Sequence, residues 1–189
     1  MGLLGGSFNP AHDGHRHISQ LALTKLNLDR VWWLVSPQNP LKQRAGMAPL
    51  EVRCSNADGV AQHTRIDVTS LEKELKTVYT VDTIRRLKRA RPHVKFVWIM
   101  GADNLIELAG WKEWRSLFQI VPVAVFNRST DSLSVFRSEA ARAFIRVRIS
   151  DRNPSRLLAM DSPAWIFIRS ELHPGSATSI RRKGIWKWS

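Results

Sequence analysis

The sequence predicts an α/β fold: one doubly wound domain, residues 1–189, with a mainly parallel sheet. Three observations carry this. Short apolar runs such as "RVWWLV" and "KFVWIMG" are nearly continuous, as strands buried on both faces must be. Amphipathic stretches with helical spacing separate those runs, giving the strand–helix alternation of a covered parallel sheet. At 189 residues the chain is long enough to bury a substantial core, and no repeat, low-complexity tract or shift in composition marks a boundary within it.

The elements follow in order. "GLLG" is the first strand. It is short beside the usual five or so residues, so either residues precede Met1 in the full protein or the strand is stubby. A helix is expected from about Gly14 to Asn27, where Ile18, Leu21, Ala22 and Leu26 recur at helical intervals. "RVWWLV" is the second strand, and a polar, proline-containing loop follows it. Pro49 opens a helix that runs to about His63. On that helix Leu50, Cys54, Ala57 and Ala61 share a face, which makes Cys54 a small core residue. "RIDV" is a short strand, "VYTVDTIRRLKRA" begins a helix, and "KFVWIMG" is a buried strand. "WKEWRSLFQI" is helical, with Trp111, Trp114 and Phe118 in a stripe that periodicity alone assigns to the core. "VPVAVFN" is a strand, "SVFRSEAARAFI" one helix, and "AWIFIR" a late strand.

Composition narrows the function classes. The hydrophobic fraction of 43% and charged fraction of 24% are those of an ordinary globular protein. No apolar run is long enough to span a bilayer, and "MGLLGG" is too short for a signal peptide. A single cysteine excludes an internal disulfide framework and suits a reducing, cytoplasmic location. Lys and Arg total 29 against 16 Asp and Glu, a formal charge of +13 that favours anionic partners. The basic residues cluster in "RRLKRAR" (Arg85–Arg91), between Arg142 and Arg156, and in "RRKGIWKW". With Val81, Ile84 and Leu87 turned inward, Arg85, Arg86, Lys88 and Arg89 point outward. This is the pattern of a solvated helix face, so charge alone selects no partner.

The stretch "GGSFNPAHDGHRH" asks for a chemical explanation. A strand, then Gly5-Gly6-Ser7, then a helix start presents backbone N–H groups to an anion, and the missing β-carbons allow close approach. The letters match neither the G-x-G-x-x-G dinucleotide fingerprint nor the G-K-[ST] of a Walker A loop. His12 and His15 stand three apart across the helix start, on one side, with Gly14 leaving room for a phosphate between them. Zinc is a rival reading of a histidine pair, but no cysteine or glutamate stands nearby at ligand spacing. Capping and packing is another. His17 reads as surface.

"GGSFNPAHDGH" resembles the signature of the nucleotidyltransferase superfamily, whose H-x-G-H loop binds ATP phosphates. More narrowly, the chain resembles the bacterial nicotinate-nucleotide adenylyltransferases. The likeness covers nearly the whole chain through motifs in family order: that loop, "NPLK" (Asn39–Lys42), "YTVDT" (Tyr79–Thr83) with "GADNLIELAGW" (Gly101–Trp111), and "GSATSIR" (Gly175–Arg181). The resemblance implies a Rossmann-like fold and transfer of AMP from ATP to nicotinate mononucleotide, with magnesium carried by ATP and no metal held by the protein. It implies no membrane and no nucleic-acid partner.

By the same resemblance, His12, His15 and Arg181 are catalytic. Gly5, Gly6, Ser7, Phe8, Gly101, Asp103, Ser176 and Thr178 bind ATP, and Lys42, Thr80, Asp82 and Trp111 bind the pyridine nucleotide. Trp111 matches the tryptophan that stacks on the pyridine ring and Thr80 the threonine that recognises its carboxylate, while Trp114 stays in the core. Asn104 with Glu107 resembles a capping box, which frees Asp103 for ribose hydroxyls. Ser176 caps a following helix. The family usually has serine at Ala177, and proline and histidine at Asn39 and Leu41. Two alternatives stay open: the same chemistry on nicotinamide mononucleotide or phosphopantetheine, and a basic RNA-binding module such as a fragment of a class I tRNA synthetase. The latter lacks a K-M-S-K-S-like loop and any RRM or KH signature.

Overall fold

The computed structural model of this chain describes residues 1–37, 46–127, 132–169 and 175–188. Its first half contains β1 (Gly2–Gly6), α1 (Asp13–Lys25), β2 (Val31–Val35), α2 (Leu50–Ala61) and β3 (Ile66–Thr69). A short α3 (Leu71–Glu74) and the basic α4 (Thr80–Ala90) lead to β4 (Val97–Gly101). Then come α5 (Ala102–Glu107), α6 (Trp114–Ile120), β5 (Val123–Phe126), α7 (Ser132–Arg137) and α8 (Glu139–Ala143). The last elements are β6 (Arg148–Ile149), β7 (Trp165–Ile168) and α9 (Ala177–Arg182).

Among the described residues seven strands form one sheet in the order β3-β2-β1-β4-β5-β7-β6, with every pairing parallel. The chain winds outward from β1 to β3, then crosses back to β4 on the other side of β1. The reversal opens a crevice at the carboxyl ends of β1 and β4, where sheets of this kind bind ligands. Both faces are covered. Leu4, Ile18, Leu23, Trp33 and Ile99 pack on the side of α1 and α2. Leu3, Leu34, Ile84, Trp98 and Phe118 pack on the other. All five residues of β4 are buried, which explains its unbroken apolar run.

The differences from expectation have local causes. β1 continues through Gly5 and Gly6, which pair with Leu34 and Val35, so the glycines belong to the strand rather than to a loop. A β-carbon on Gly5 would lie 2.3 Å from the Trp98 ring, so the missing β-carbon makes room for an indole. "SVFRSEAARAFI" is two helices. The Ser138 hydroxyl donates to the Val135 carbonyl and accepts from the Ala141 amide, ending one helix and capping the next. α6 starts at Trp114, because Glu113 before it adopts a left-handed conformation (φ 49°) that helices do not continue through. α3 and the two-residue β6 are too short to show a period. Cys54 is half-buried against the core beside Ala57 and Ala61.

Candidate active site

A cavity of about 790 Å³ fills the crevice. One end is built by the loop after β1 and the start of α1, facing the segment that opens α9. The other is built by the end of β4, by α5 and by residues around Thr80 and Trp111.

At the first end His12 is the N-cap of α1. Its Nδ1 accepts the Gly14 amide at 3.1 Å, while His15 Nδ1 accepts the His12 amide at 3.2 Å. The two rings lie 3.9 Å apart, centroid to centroid. An imidazole nitrogen that accepts a backbone N–H carries no proton, so this pattern assigns the proton of each neutral ring to Nε2. The amides of His12 and Gly14 are therefore spent orienting imidazoles, and the helix start presents histidine side chains where bare backbone N–H groups were expected. At Gly14 too the missing β-carbon serves a neighbouring ring. A β-carbon there would lie 2.9 Å from the His12 ring and 3.2 Å from the Gly175 carbonyl, so its space is taken by the imidazole itself.

The histidines rest on a packed base. His15 lies 4.7 Å from the ring of Phe8, which stacks on Trp33 at 5.1 Å. Trp33 Nε1 donates to Ser19 Oγ, and Ser19 donates to the His15 carbonyl, both at 2.8 Å. Asp13, exposed beside them, pairs with Arg16 at 3.0 Å. His17, expected at the surface, is half-buried.

Beneath the loop lies a guanidinium that sequence reasoning missed. Arg53 on α2 is 1% exposed. It donates to the carbonyls of Ser7 and Ser36 at 2.7 Å, of Ala48 at 2.9 Å and of Pro37 at 3.1 Å. Burial lowers its pKa from the ordinary arginine value, against the raising effect of Cys54 and Glu51. Arginine keeps its proton even so. Its signal was present: Arg53 precedes Ala57 by one helical turn, a charge on the apolar face.

Asn9 is the second missed residue. Its side chain donates to the Gly46 carbonyl at 2.9 Å and accepts from the Ala48 amide at 3.1 Å and from Trp186 Nε1 at 3.0 Å. Its own carbonyl accepts from Arg181 Nη1, while Arg181 Nη2 donates to Thr178 Oγ1 at 3.3 Å. These bonds fasten the segment that contains α9 over the loop. Ser176 caps α9 as expected, accepting the Ser179 amide.

At the other end Gly101, Asp103, Thr80 and Trp111 all line the cavity. Trp111 follows a 3₁₀ turn (Leu108–Gly110) in extended backbone, which takes it out of the Trp114–Phe118 stripe. Trp114 and Phe118 are core. α5 begins at Ala102 with Gly101 as its N-cap, so Asn104 and Glu107 lie inside the helix and form no capping box; both line the cavity. Thr80 is the first residue of α4, with Tyr79 as N-cap. Asp82 does not line this cavity. It faces a neighbouring recess and pairs with Arg85 and Lys112. Lys42 lies outside the described residues. Gly5, Gly6, Ser7, Phe8, His12, His15, Ser176, Thr178 and Arg181 do line the cavity.

A buried carboxyl completes the wall. Glu72, 5% exposed, has its pKa raised to about 7 by burial, against the lowering effect of the Ser36 and Thr83 hydroxyls. Thr83 in turn shares a 2.8 Å hydrogen bond with Thr77.

Among the described residues no group of three or more His, Cys, Asp or Glu is placed to hold a metal ion, and no helix is long and apolar enough to cross a membrane.

The family model described as cytidylyltransferase-like matches residues 3–183. A Parvibaculum lavamentivorans protein named "Probable nicotinate-nucleotide adenylyltransferase" is 48% identical over 98% of this chain and 92% of its own. A Ruegeria pomeroyi protein with the same name is 47% identical over 98% of this chain and 87% of its own. The fold is similar to that of a Plasmodium falciparum nicotinic acid mononucleotide adenylyltransferase complexed with NaAD. That likeness has a TM-score of 0.69 over 96% of this chain and 82% of the other, at 16% identity.

Proposed function

The chain belongs to the cytidylyltransferase-like family and, within it, to the nicotinate-nucleotide adenylyltransferases, and from that premise we propose how its residues carry the reaction. It transfers AMP from ATP to nicotinate mononucleotide, forming nicotinate adenine dinucleotide and pyrophosphate. The observation that carries the residue roles is one cavity with imidazoles, a hydroxyl and a guanidinium at one end and an indole at the other.

The nucleophile is the substrate's own phosphate, a monoester with a second pKa of about 6, mostly dianionic at neutral pH. One of its oxygens bonds to the α-phosphorus of ATP. The bond from that phosphorus to the bridging oxygen breaks, and pyrophosphate leaves with the electron pair. No protein base is needed, so catalysis consists of alignment and neutralisation. His12 and His15 donate from Nε2 to phosphate oxygens. Each hydrogen bond is strengthened by the backbone N–H behind it at Nδ1. Thr178 and the N–H groups of Arg181 not used on Asn9 grip the triphosphate from the facing side. Gly5, Gly6, Ser7 and Phe8 form the floor, with Ser176 at the edge.

Gly101 and Asp103 hold the adenosine ribose. Trp111 stacks on the pyridine ring, and Thr80 meets its carboxylate. Lys42 remains assigned to the substrate phosphate by resemblance to the family alone, and Asp82 acts only through its neighbours.

Magnesium fits as a passenger on ATP. The carboxylates lining the cavity are Glu72, Asp103 and Glu107, and the phosphate end is made of imidazoles, hydroxyls and a guanidinium. When bound, the ion withdraws charge from the phosphate oxygens.

Pyrophosphate release from ATP with a panel of phosphomonoesters tests this reading. Nicotinate mononucleotide should be the preferred acceptor. Trp111→Ala should raise its KM by about tenfold, the scale of one lost aromatic stack. Equal rates on phosphopantetheine, or an unchanged KM in the variant, would count against the assignment.

A further inference from the structure

Beside the nucleotide cavity, and sharing Val78, Tyr79 and Lys112 with it, lies a second recess of about 420 Å³. Five cations line it: Lys76, Arg85, Arg86, Arg89 and Lys112. Two carboxylates answer them. Arg85 pairs with Glu113 at 2.7 Å and with Asp82 at 3.4 Å, and Lys112 approaches Asp82 at 3.7 Å. Three positive charges are left in excess around one concavity. Lys76 and Arg89 make no ion pair among the described residues.

Two of the cations are also held in place. Arg86 donates to the Leu75 carbonyl at 2.6 Å, and Lys112 sits 4.3 Å over the Tyr79 ring. Like charges gathered and fixed in this way repel one another unless an anion joins them. The recess is the size of a small-molecule site rather than the long stripe a nucleic-acid backbone needs. We propose that this recess is a second anion site, which takes a small oligophosphate.

Isothermal titration with inorganic tripolyphosphate tests the site, with saturating nicotinate adenine dinucleotide present to occupy the nucleoside ends of the nucleotide cavity. The expected result is a site at the recess, told apart from the open pyrophosphate subsite of the cavity by its response to substitution of the recess cations. In Lys76→Gln/Arg89→Gln it should weaken at least about tenfold, because two charge-assisted contacts are gone. Basal turnover and melting temperature should not change. Without the dinucleotide the wild type should bind two equivalents and the double variant one. No binding to the dinucleotide-filled wild type, or equal binding by the double variant, overturns the proposal. So does tight, salt-sensitive binding of a single-stranded DNA oligonucleotide where tripolyphosphate fails to bind, which would make the recess part of a nucleic-acid surface.

Discussion

An imidazole that accepts a backbone N–H at Nδ1 carries its proton on Nε2, and His12 and His15 are both held this way. His15→Ala should therefore lower turnover by about a hundredfold, the cost of one preorganised donor to developing charge, with little change in melting temperature. Steady-state kinetics at saturating ATP checks it; near-normal turnover would return His15 to a packing role. Glu72 makes a prediction of the opposite kind. In the unfolded chain its carboxyl ionises near the usual value of 4.5, whereas the folded protein keeps the proton up to about 7. Between those values the native state binds more protons than the unfolded one. Stability should fall as pH rises through that window, to a loss on the order of 3 kcal/mol above it. Glu72→Gln, which keeps the shape and cannot ionise, should flatten the profile and be the more stable protein at pH 8 by urea unfolding. Neither Glu72 nor Arg53 was legible as part of the site. Their roles come from what surrounds them, and a single sequence does not show which charged residues end up inside.

At the scale of elements, the loop after β1 is held from below by α2 and from above by the segment containing α9. Arg53 joins four carbonyls, from the loop after β1, the loop after β2 and the approach to α2. A lysine cannot span them. Arg53→Lys should cost about 3 kcal/mol in stability, since buried carbonyls lose charge-assisted partners. It should also raise the KM for ATP more than it changes kcat, because the loop loosens before chemistry begins. Melting curves and ATP titrations together check this, and a loss of stability with the KM unaltered would make Arg53 scaffold only. The strands were legible as unbroken apolar runs, because both faces of the sheet are covered, and the long helices because a helical period survives in the letters. Ser138 and Glu113 show what periodicity misses. A serine that ends one helix and caps the next breaks a continuous pattern, and a left-handed residue moved the start of α6 past Trp111. Trp111 was expected in the site only from resemblance to a family, since its spacing pointed to the core, and the structure has it lining the cavity.

At the scale of the molecule, the crevice between β1 and β4 follows from strand order; the alternation of elements foretold a parallel sheet covered on both faces, but not that order. What the alternation did not reveal is how residues far apart in sequence close that crevice. Asn9 receives both Arg181 and Trp186. A chain cut after Ile168 still contains every strand of the sheet, yet it lacks the upper jaw of the phosphate grip. It should keep most of its circular-dichroism signal while losing measurable turnover; retained activity would show that the jaw is dispensable. The same bond between Asn9 and Trp186 sets an order of events on the ribosome. A nascent polypeptide can pair the strands described here as soon as β7 emerges, but Thr178 and Arg181 join the opening loop only after the later segment has been translated, and Trp186 fastens it there last.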